Sequence, residues 1–188
     1  MGTLRLVVAL AVLPAAGGSA AGGGGIHFAG TDANDAVRGS DARDTLYGAR
    51  GDDRLRGFRG RDWLSGGPGD DRLAGGAGAD SLSAGPGNDV LAGGVGADLL
   101  FGNAGRDTLD ARDHRASFRN ASECAGGPPP AYCRPRGRAD GIWAGSQDDR
   151  ILSKDGRIDF VWCEGGHDVV VADGIDRIPV GDCEIVRH

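Results

Sequence analysis
The sequence predicts an all-β, right-handed parallel β-roll: a solenoid in which short strands and tight turns alternate and stack into two sheets. Three observations carry that prediction. Glycine makes up 36 of 188 residues and aromatics only 5%, against about 7% glycine in ordinary chains. From Gly30 the chain divides without insertion into nine nonapeptides ending at Asp110. Every nonapeptide has aspartate at its sixth position and an aliphatic residue at its eighth. Glycine without a three-residue period excludes collagen, and 39% apolar residues is too many for a polar disordered tail. With so few large side chains the core must be narrow, so something besides hydrophobic burial has to hold the stack together.

The segments follow in chain order. Met1 to Arg5 include one positive charge, Leu6 to Leu13 form an apolar run, and Pro14 to Ala21 are small. This reads as a secretory signal over residues 1–21, cleaved near Ala20 or Ala21. The apolar run spans about 12 Å as a helix, against roughly 30 Å of hydrocarbon, so no membrane span is expected in the mature chain. The destination is secreted, extracellular. Residues 22–29 read as a flexible glycine-rich leader.

Residues 30–110 are the repeat block. Its sixth positions are Asp35, Asp44, Asp53, Asp62, Asp71, Asp80, Asp89, Asp98 and Asp107. Its eighth positions run from Val37 and Leu46 to Leu109. Glycine fills the first position except at Ala84, and the fourth except at Ala33 and Ala42. Strand alternation makes the aliphatic residue the inward centre of a three-residue strand, and the six residues before it a turn. Glycines there allow positive backbone angles and close approach, which lets carbonyl oxygens converge. Two turns and two strands complete a coil of 18 residues, so leucines from two parallel ladders meet between the sheets.

Stacking places the sixth residues of alternate repeats above one another at about 4.8 Å. Asp35, Asp53, Asp71, Asp89 and Asp107 run along one edge; Asp44, Asp62, Asp80 and Asp98 run along the other. Consecutive members bracket at most seven gaps, four on one edge and three on the other. Unpaired, these carboxylates would repel. Two carboxylates with several turn carbonyls form a hard oxygen set suited to calcium; magnesium needs a stricter octahedron, and no histidine or cysteine recurs to recruit zinc. Asp71 borders two gaps and Asp107 one, so Asp71→Asn is expected to remove more bound metal.

Gly66-Gly67-Pro68-Gly69-Asp70-Asp71-Arg72-Leu73, Gly75-Gly76-Ala77-Gly78-Ala79-Asp80-Ser81-Leu82 and Gly93-Gly94-Val95-Gly96-Ala97-Asp98-Leu99-Leu100 fit the pattern GGxGxDxUx. With that pattern the block resembles the repeats-in-toxin family of haemolysin-type calcium-binding repeats. The resemblance implies calcium ligation by the sixth-position carboxylates together with carbonyls of the glycine turns. Those turns contain Gly48, Gly51, Gly57, Gly60, Gly66, Gly67, Gly69, Gly75, Gly76, Gly78, Gly85, Gly87, Gly93, Gly94 and Gly96. Ala33 and Ala42 weaken the gaps that use Asp35 and Asp44, leaving about four to six occupied sites expected.

Residues 111–139 break the period with Pro128-Pro129-Pro130 and read as an insertion or linker. Over residues 140–188 an Asp-x-aliphatic pattern returns at Asp140, Asp149, Asp159, Asp168 and Asp176, with most turn glycines gone. This is read as degenerate roll-like coils without calcium geometry, capping the solenoid. The four cysteines, Cys124, Cys133, Cys163 and Cys183, are expected as disulfides in an exported chain. Sequence permits three pairings; the local one, Cys124 with Cys133 and Cys163 with Cys183, closes the shortest loops. A zinc site lacks any CxxC pair.

A net charge of -6, with Lys154 the only lysine, leaves no basic surface for nucleic acid and no lysine phosphate loop. An enzyme is not expected: a remote hydrolase reading would pair His167 and Asp168 with Ser146 or Ser153, but no GxSxG elbow or HExxH helix accompanies them. Two readings remain. One is a secreted structural module that folds around calcium; the other is a calcium-stiffened adhesion or carbohydrate-binding surface, with Tyr47, Trp63 and Phe101 facing a cell-surface or glycan partner.

Overall fold
A computed structural model describes residues 24–112, 139–154, 158–174, 176–178 and 183–187. The signal expected over 1–21, and Cys124 and Cys133, lie outside the described residues. The odd-numbered strands up to the thirteenth form one parallel sheet: β1 (His27–Ala29), β3 (Thr45–Tyr47), β5 (Trp63–Ser65), β7 (Ser81–Pro86), β9 (Leu99–Ala104), β11 (Gly141–Ser146) and β13 (Phe160–Trp162). The opposing sheet runs through β2 (Ala36–Arg38), β4 (Arg54–Gly60), β6 (Arg72–Gly78), β8 (Val90–Gly96), β10 (Thr108–Asp110), β12 (Arg150–Leu152), β14 (Asp168–Ala172) and β15 (Cys183–Arg187). The chain is an all-β parallel solenoid.

The register is the sequence period made physical. Leu55 pairs with Leu73 and Leu73 with Leu91 on one sheet; Leu46 pairs with Leu64 and Leu64 with Leu82 on the other. The eighth-position side chains therefore form a buried double column that continues as Ile142, Ile151, Val161 and Val170. Each buried leucine contributes about 1.5–3 kcal/mol. The column is only one aliphatic residue wide per strand, as glycine-rich repeats require.

Three features differ from the sequence expectation. Several strands run six or seven residues rather than three, because the turn backbone stacks in register too: Phe58 pairs with Gly76 and Gly60 with Gly78. The roll also starts before Gly30. Within the leader expected over 22–29, β1 pairs with β3, and Phe28 takes the leucine slot opposite Leu46, packed partly buried against the core. Finally, the stacking step rises from 18 residues inside the block to 42 across the insertion, from Asp107 to Asp149, then becomes 19 and falls to 17 between Asp159 and Asp176. The stack runs on in register from one side of the insertion to the other, and Ala111 and Ala139 flanking it are buried.

The coils after the insertion remain part of the roll. A Cys163–Cys183 disulfide ties the turn after β13 to the start of β15. On the outer face of the first sheet Phe101, Trp143 and Trp162 stack with ring centroids 4.7 and 4.6 Å apart. These aromatics occupy equivalent positions on successive strands, so the in-register stacking that aligns leucines inside aligns rings outside.

Candidate metal centre
The repeat geometry puts every sixth-position aspartate at the same place, between the end of a turn and the start of a strand. Asp35 N–H donates to Asp53 Oδ1 at 2.7 Å, Asp53 to Asp71 at 2.7 Å, Asp71 to Asp89 at 2.7 Å and Asp89 to Asp107 at 2.9 Å. On the other edge Asp44, Asp62 and Asp80 donate to Asp62, Asp80 and Asp98 at 2.8 Å each. The two predicted aspartate files are therefore real ladders. One oxygen of each carboxylate from Asp53 onward is spent on the amide one coil below, leaving only Oδ2 for anything else.

That second oxygen divides the aspartates into two groups. Oδ2 of Asp53, Asp62, Asp71, Asp80, Asp89 and Asp107 is buried without a hydrogen-bond partner. By contrast, Asp35 Oδ2 accepts from Thr31 N–H at 2.7 Å and from the Thr31 hydroxyl at 3.0 Å. Asp44 Oδ2 accepts from Ser40 N–H at 2.6 Å, and its Oδ1 from the Ser40 hydroxyl at 2.9 Å. The first two turns thus close on their own aspartates. Sequence reasoning doubted Asp35 and Asp44 because of Ala33 and Ala42; the more direct signal was the hydroxyl residue at the second position, a side chain that competes for a carboxylate.

The glycines complete the cradle. A first-position side chain would overlap the carboxylate: a Cβ on Gly75 or Gly93 would stand 2.5 or 2.6 Å from Oδ2 of Asp80 or Asp98. Gly48, Gly57 and Gly66 face Asp53, Asp62 and Asp71 in the same way. Gly67, Gly76, Gly85 and Gly94 at the second position, and Gly51, Gly60, Gly69, Gly78, Gly87 and Gly96 at the fourth, all have φ between 103° and 159°. That left-handed backbone turns carbonyls toward the next coil, so a side chain at Gly69 would meet the Gly51 carbonyl oxygen and one at Gly67 the Ala49 carbonyl oxygen. Among the described residues the carbonyls of Ala49, Gly51, Gly67, Gly69 and Gly87 accept no hydrogen bond.

Burial pushes the carboxyl pKa values up. Asp71, Asp80 and Asp107 rise to about 6 and Asp89 to about 7, each chiefly through desolvation, with amide donation opposing; neighbouring aspartates add to the rise at Asp71, Asp80 and Asp89. Asp53 and Asp62 shift in the same direction for the same causes. An ionised, buried oxygen with no donor costs about 1–3 kcal/mol or more. Six of them rival the about 5–15 kcal/mol that holds a whole domain together. The site must take up either protons or a cation. Among the described residues no three His, Cys, Asp or Glu side chains gather round one point, so a cation here draws on carboxylate pairs plus turn carbonyls. Those are hard oxygen donors, and they fit calcium.

The residues of the remote hydrolase reading stand in other roles. His167 is exposed and its amide donates to Asp148 at 3.1 Å. Ser153 is buried and donates to Asp176 Oδ2 at 2.9 Å, and Asp168 Oδ1 accepts from the Asp149 amide at 3.0 Å. These contacts bring no serine to His167. Tyr47 and Trp63 are exposed, with rings 6.0 Å apart. Among the described residues no helix is long and apolar enough to cross a membrane.

Stacked glycine turns that present buried, half-satisfied carboxylates beside turn carbonyls define a parallel β-roll whose hard oxygen donors suit calcium. This part of the chain belongs to the RTX calcium-binding nonapeptide repeat family, whose model of four repeat copies matches residues 29–64, 56–91 and 83–113. No curated protein matches the chain.

Proposed function
We propose that the protein is a secreted structural module whose roll forms around calcium ions held between successive turns. The observation that carries this reading is the file of buried Oδ2 atoms lacking a donor, beside turns in which the carbonyls of Gly51, Gly67, Gly69 and Gly87 accept no hydrogen bond among the described residues. Because Asp35 and Asp44 are closed by Thr31 and Ser40, the two gaps that use them drop out of the seven in the repeat block, leaving five. The ligands are Asp53, Asp71, Asp89 and Asp107 on one edge and Asp62, Asp80 and Asp98 on the other, with carbonyls of the intervening turns. Extracellular calcium suits such sites, at affinities of about 10⁻⁴ to 10⁻³ M. The mature polypeptide begins after residue 21 with the leader over 22–29; residues 30–110 form the ion-bearing domain and 140–188 the cap.

The adhesion reading rests on the exposed pair Tyr47 and Trp63. Further along the same face the rings of Phe101, Trp143 and Trp162 cover one another. A sugar ring packs on an open aromatic face, so this column is arranged for stability instead.

Circular dichroism and calorimetry during calcium titration of the mature chain test the proposal. The expected outcome is saturable heat and a gain of β-structure, reversed by EGTA. Identical spectra and melting points in EGTA and in millimolar calcium, without heat, would refute it.

A further inference from the structure
The turn of residues 144–149 lies beyond the family match, which ends at residue 113. It reads Ala-Gly-Ser-Gln-Asp-Asp and lacks the first and fourth glycines of the pattern. The structure nevertheless stacks it on the turn of residues 102–107. Gly145 pairs with Asn103 and Ser146 with Ala104, and Asp107 N–H donates to Asp149 Oδ1 at 2.7 Å. This is the same bond that links coils inside the repeat block. Gly145 and Gln147 take positive φ of 105° and 84°, over Asn103 and Gly105 at 76° and 133°. Gln147 thus adopts the left-handed conformation that glycine fills elsewhere, which costs a side-chain-bearing residue energy and persists only where the surroundings demand it. Ala144 in the first position has its precedent in Ala84 within the block.

The donor set is complete as well. Asp107 and Asp149 are 2% and 3% exposed, and Oδ2 of each has no hydrogen-bond partner. Among the described residues the Gly105 carbonyl accepts no hydrogen bond, and the Asn103 carbonyl accepts the Ser146 hydroxyl at 3.4 Å. One coil higher the set changes, because the Gly145 carbonyl is taken by Gly165 N–H at 2.9 Å. On the other edge the ladder is closed by protein groups: Asp176 Oδ2 accepts from the Ser153 hydroxyl at 2.9 Å and from Asp173 N–H at 3.1 Å.

We propose that a divalent, oxygen-seeking cation of the calcium class binds between the turns of residues 102–107 and 144–149, stapling the coils after the insertion onto the roll. The inference rests on the calcium reading above and extends it across a break in sequence that the repeat pattern does not cross. Its consequence is structural. Closing a long insertion costs chain entropy, and a cation shared by the two sides offsets that cost where the glycine pattern has run out. The site also removes the difference expected from sequence between Asp71 and Asp107, since Asp107 now borders two ion-holding gaps.

Calcium bound per chain, measured by equilibrium dialysis of the mature full chain, tests this with Asp71→Asn, Asp107→Asn and Asp149→Asn. Asparagine keeps the Oδ1 acceptor of the ladder and replaces only the outer oxygen. The expected result is that Asp107→Asn loses as many ions as Asp71→Asn. Asp149→Asn is expected to lose bound calcium too, together with calcium-dependent amide protection in β11 and β12 while β5 and β6 keep theirs. Parental calcium content in a folded Asp149→Asn, or a smaller loss in Asp107→Asn than in Asp71→Asn, would overturn the inference and leave the repeat-block sites standing. A parent chain that binds no calcium would overturn both. Should Asp149→Asn fail to fold, the comparison of Asp107 with Asp71 decides.

Discussion
At the scale of single residues, the fate of one oxygen atom separates structural from ion-binding aspartates. All nine sixth-position residues of the block look alike in sequence, and all are at most 5% exposed. What differs is whether a neighbour in the same turn reaches Oδ2. Ser40 does so for Asp44 through its amide and touches the other oxygen through its hydroxyl; no residue does so for Asp62. Asp62→Asn should therefore lower bound calcium, whereas Asp44→Asn should leave the calcium content near that of the parent and cost stability instead, about 1 kcal/mol for the weakened turn bonds. Dialysis and urea melts on the two variants separate these effects. Equal calcium losses would show that the Ser40 turn opens to admit an ion.

At the scale of strands and turns, sequence was most informative where one constraint acts on every repeat. The inward leucine, the two aspartate files and the two-sheet stack were legible because period-two alternation and an 18-residue coil leave no other register. Strand lengths were not legible: β4, β6 and β8 extend through glycines whose pairing depends on the coil above, a tertiary effect that glycine propensity conceals. Nor was β1, since Phe28 lies outside the period and reveals its role only by facing Leu46. The shape of the degenerate turn before Asp149 was not legible for a related reason, because Gln147 takes a backbone shape its residue type disfavours. The column also sets unequal packing along the stack. Leu82 is fully buried, with Leu64 and Leu100 as neighbours on its sheet, while Val37 at the end of its sheet pairs, among the described residues, with Leu55 alone. Leu82→Ala should cost about 2–5 kcal/mol in calcium-saturated protein and Val37→Ala clearly less, read from urea midpoints at constant m-value. Equal shifts would mean that the interior coils are no better packed than the end.

At the scale of the whole molecule, stability and ion binding are two outcomes of one titration. Asp71, Asp80 and Asp107 have pKa values raised to about 6 and Asp89 to about 7, principally by burial, against about 3.9 in an unfolded chain. A group whose folded pKa is raised binds its proton more tightly in the fold. In chelator its contribution to stability is full below about pH 4 and is lost as pH rises through the folded value. The metal-free roll should therefore melt at a lower temperature at pH 8 than at pH 5. Calcium needs the same carboxylates deprotonated, so its affinity climbs over that window and the calcium-saturated roll should melt higher at pH 8 than at pH 5. Because each coil contacts only its neighbours, the effect of several aspartates accumulates along the stack. Melting curves at pH 5 and pH 8, each with EGTA and with excess calcium, distinguish this coupling from ordinary acid sensitivity. Opposite slopes are expected, and slopes of the same sign would mean that the buried carboxylates do not exchange protons for calcium.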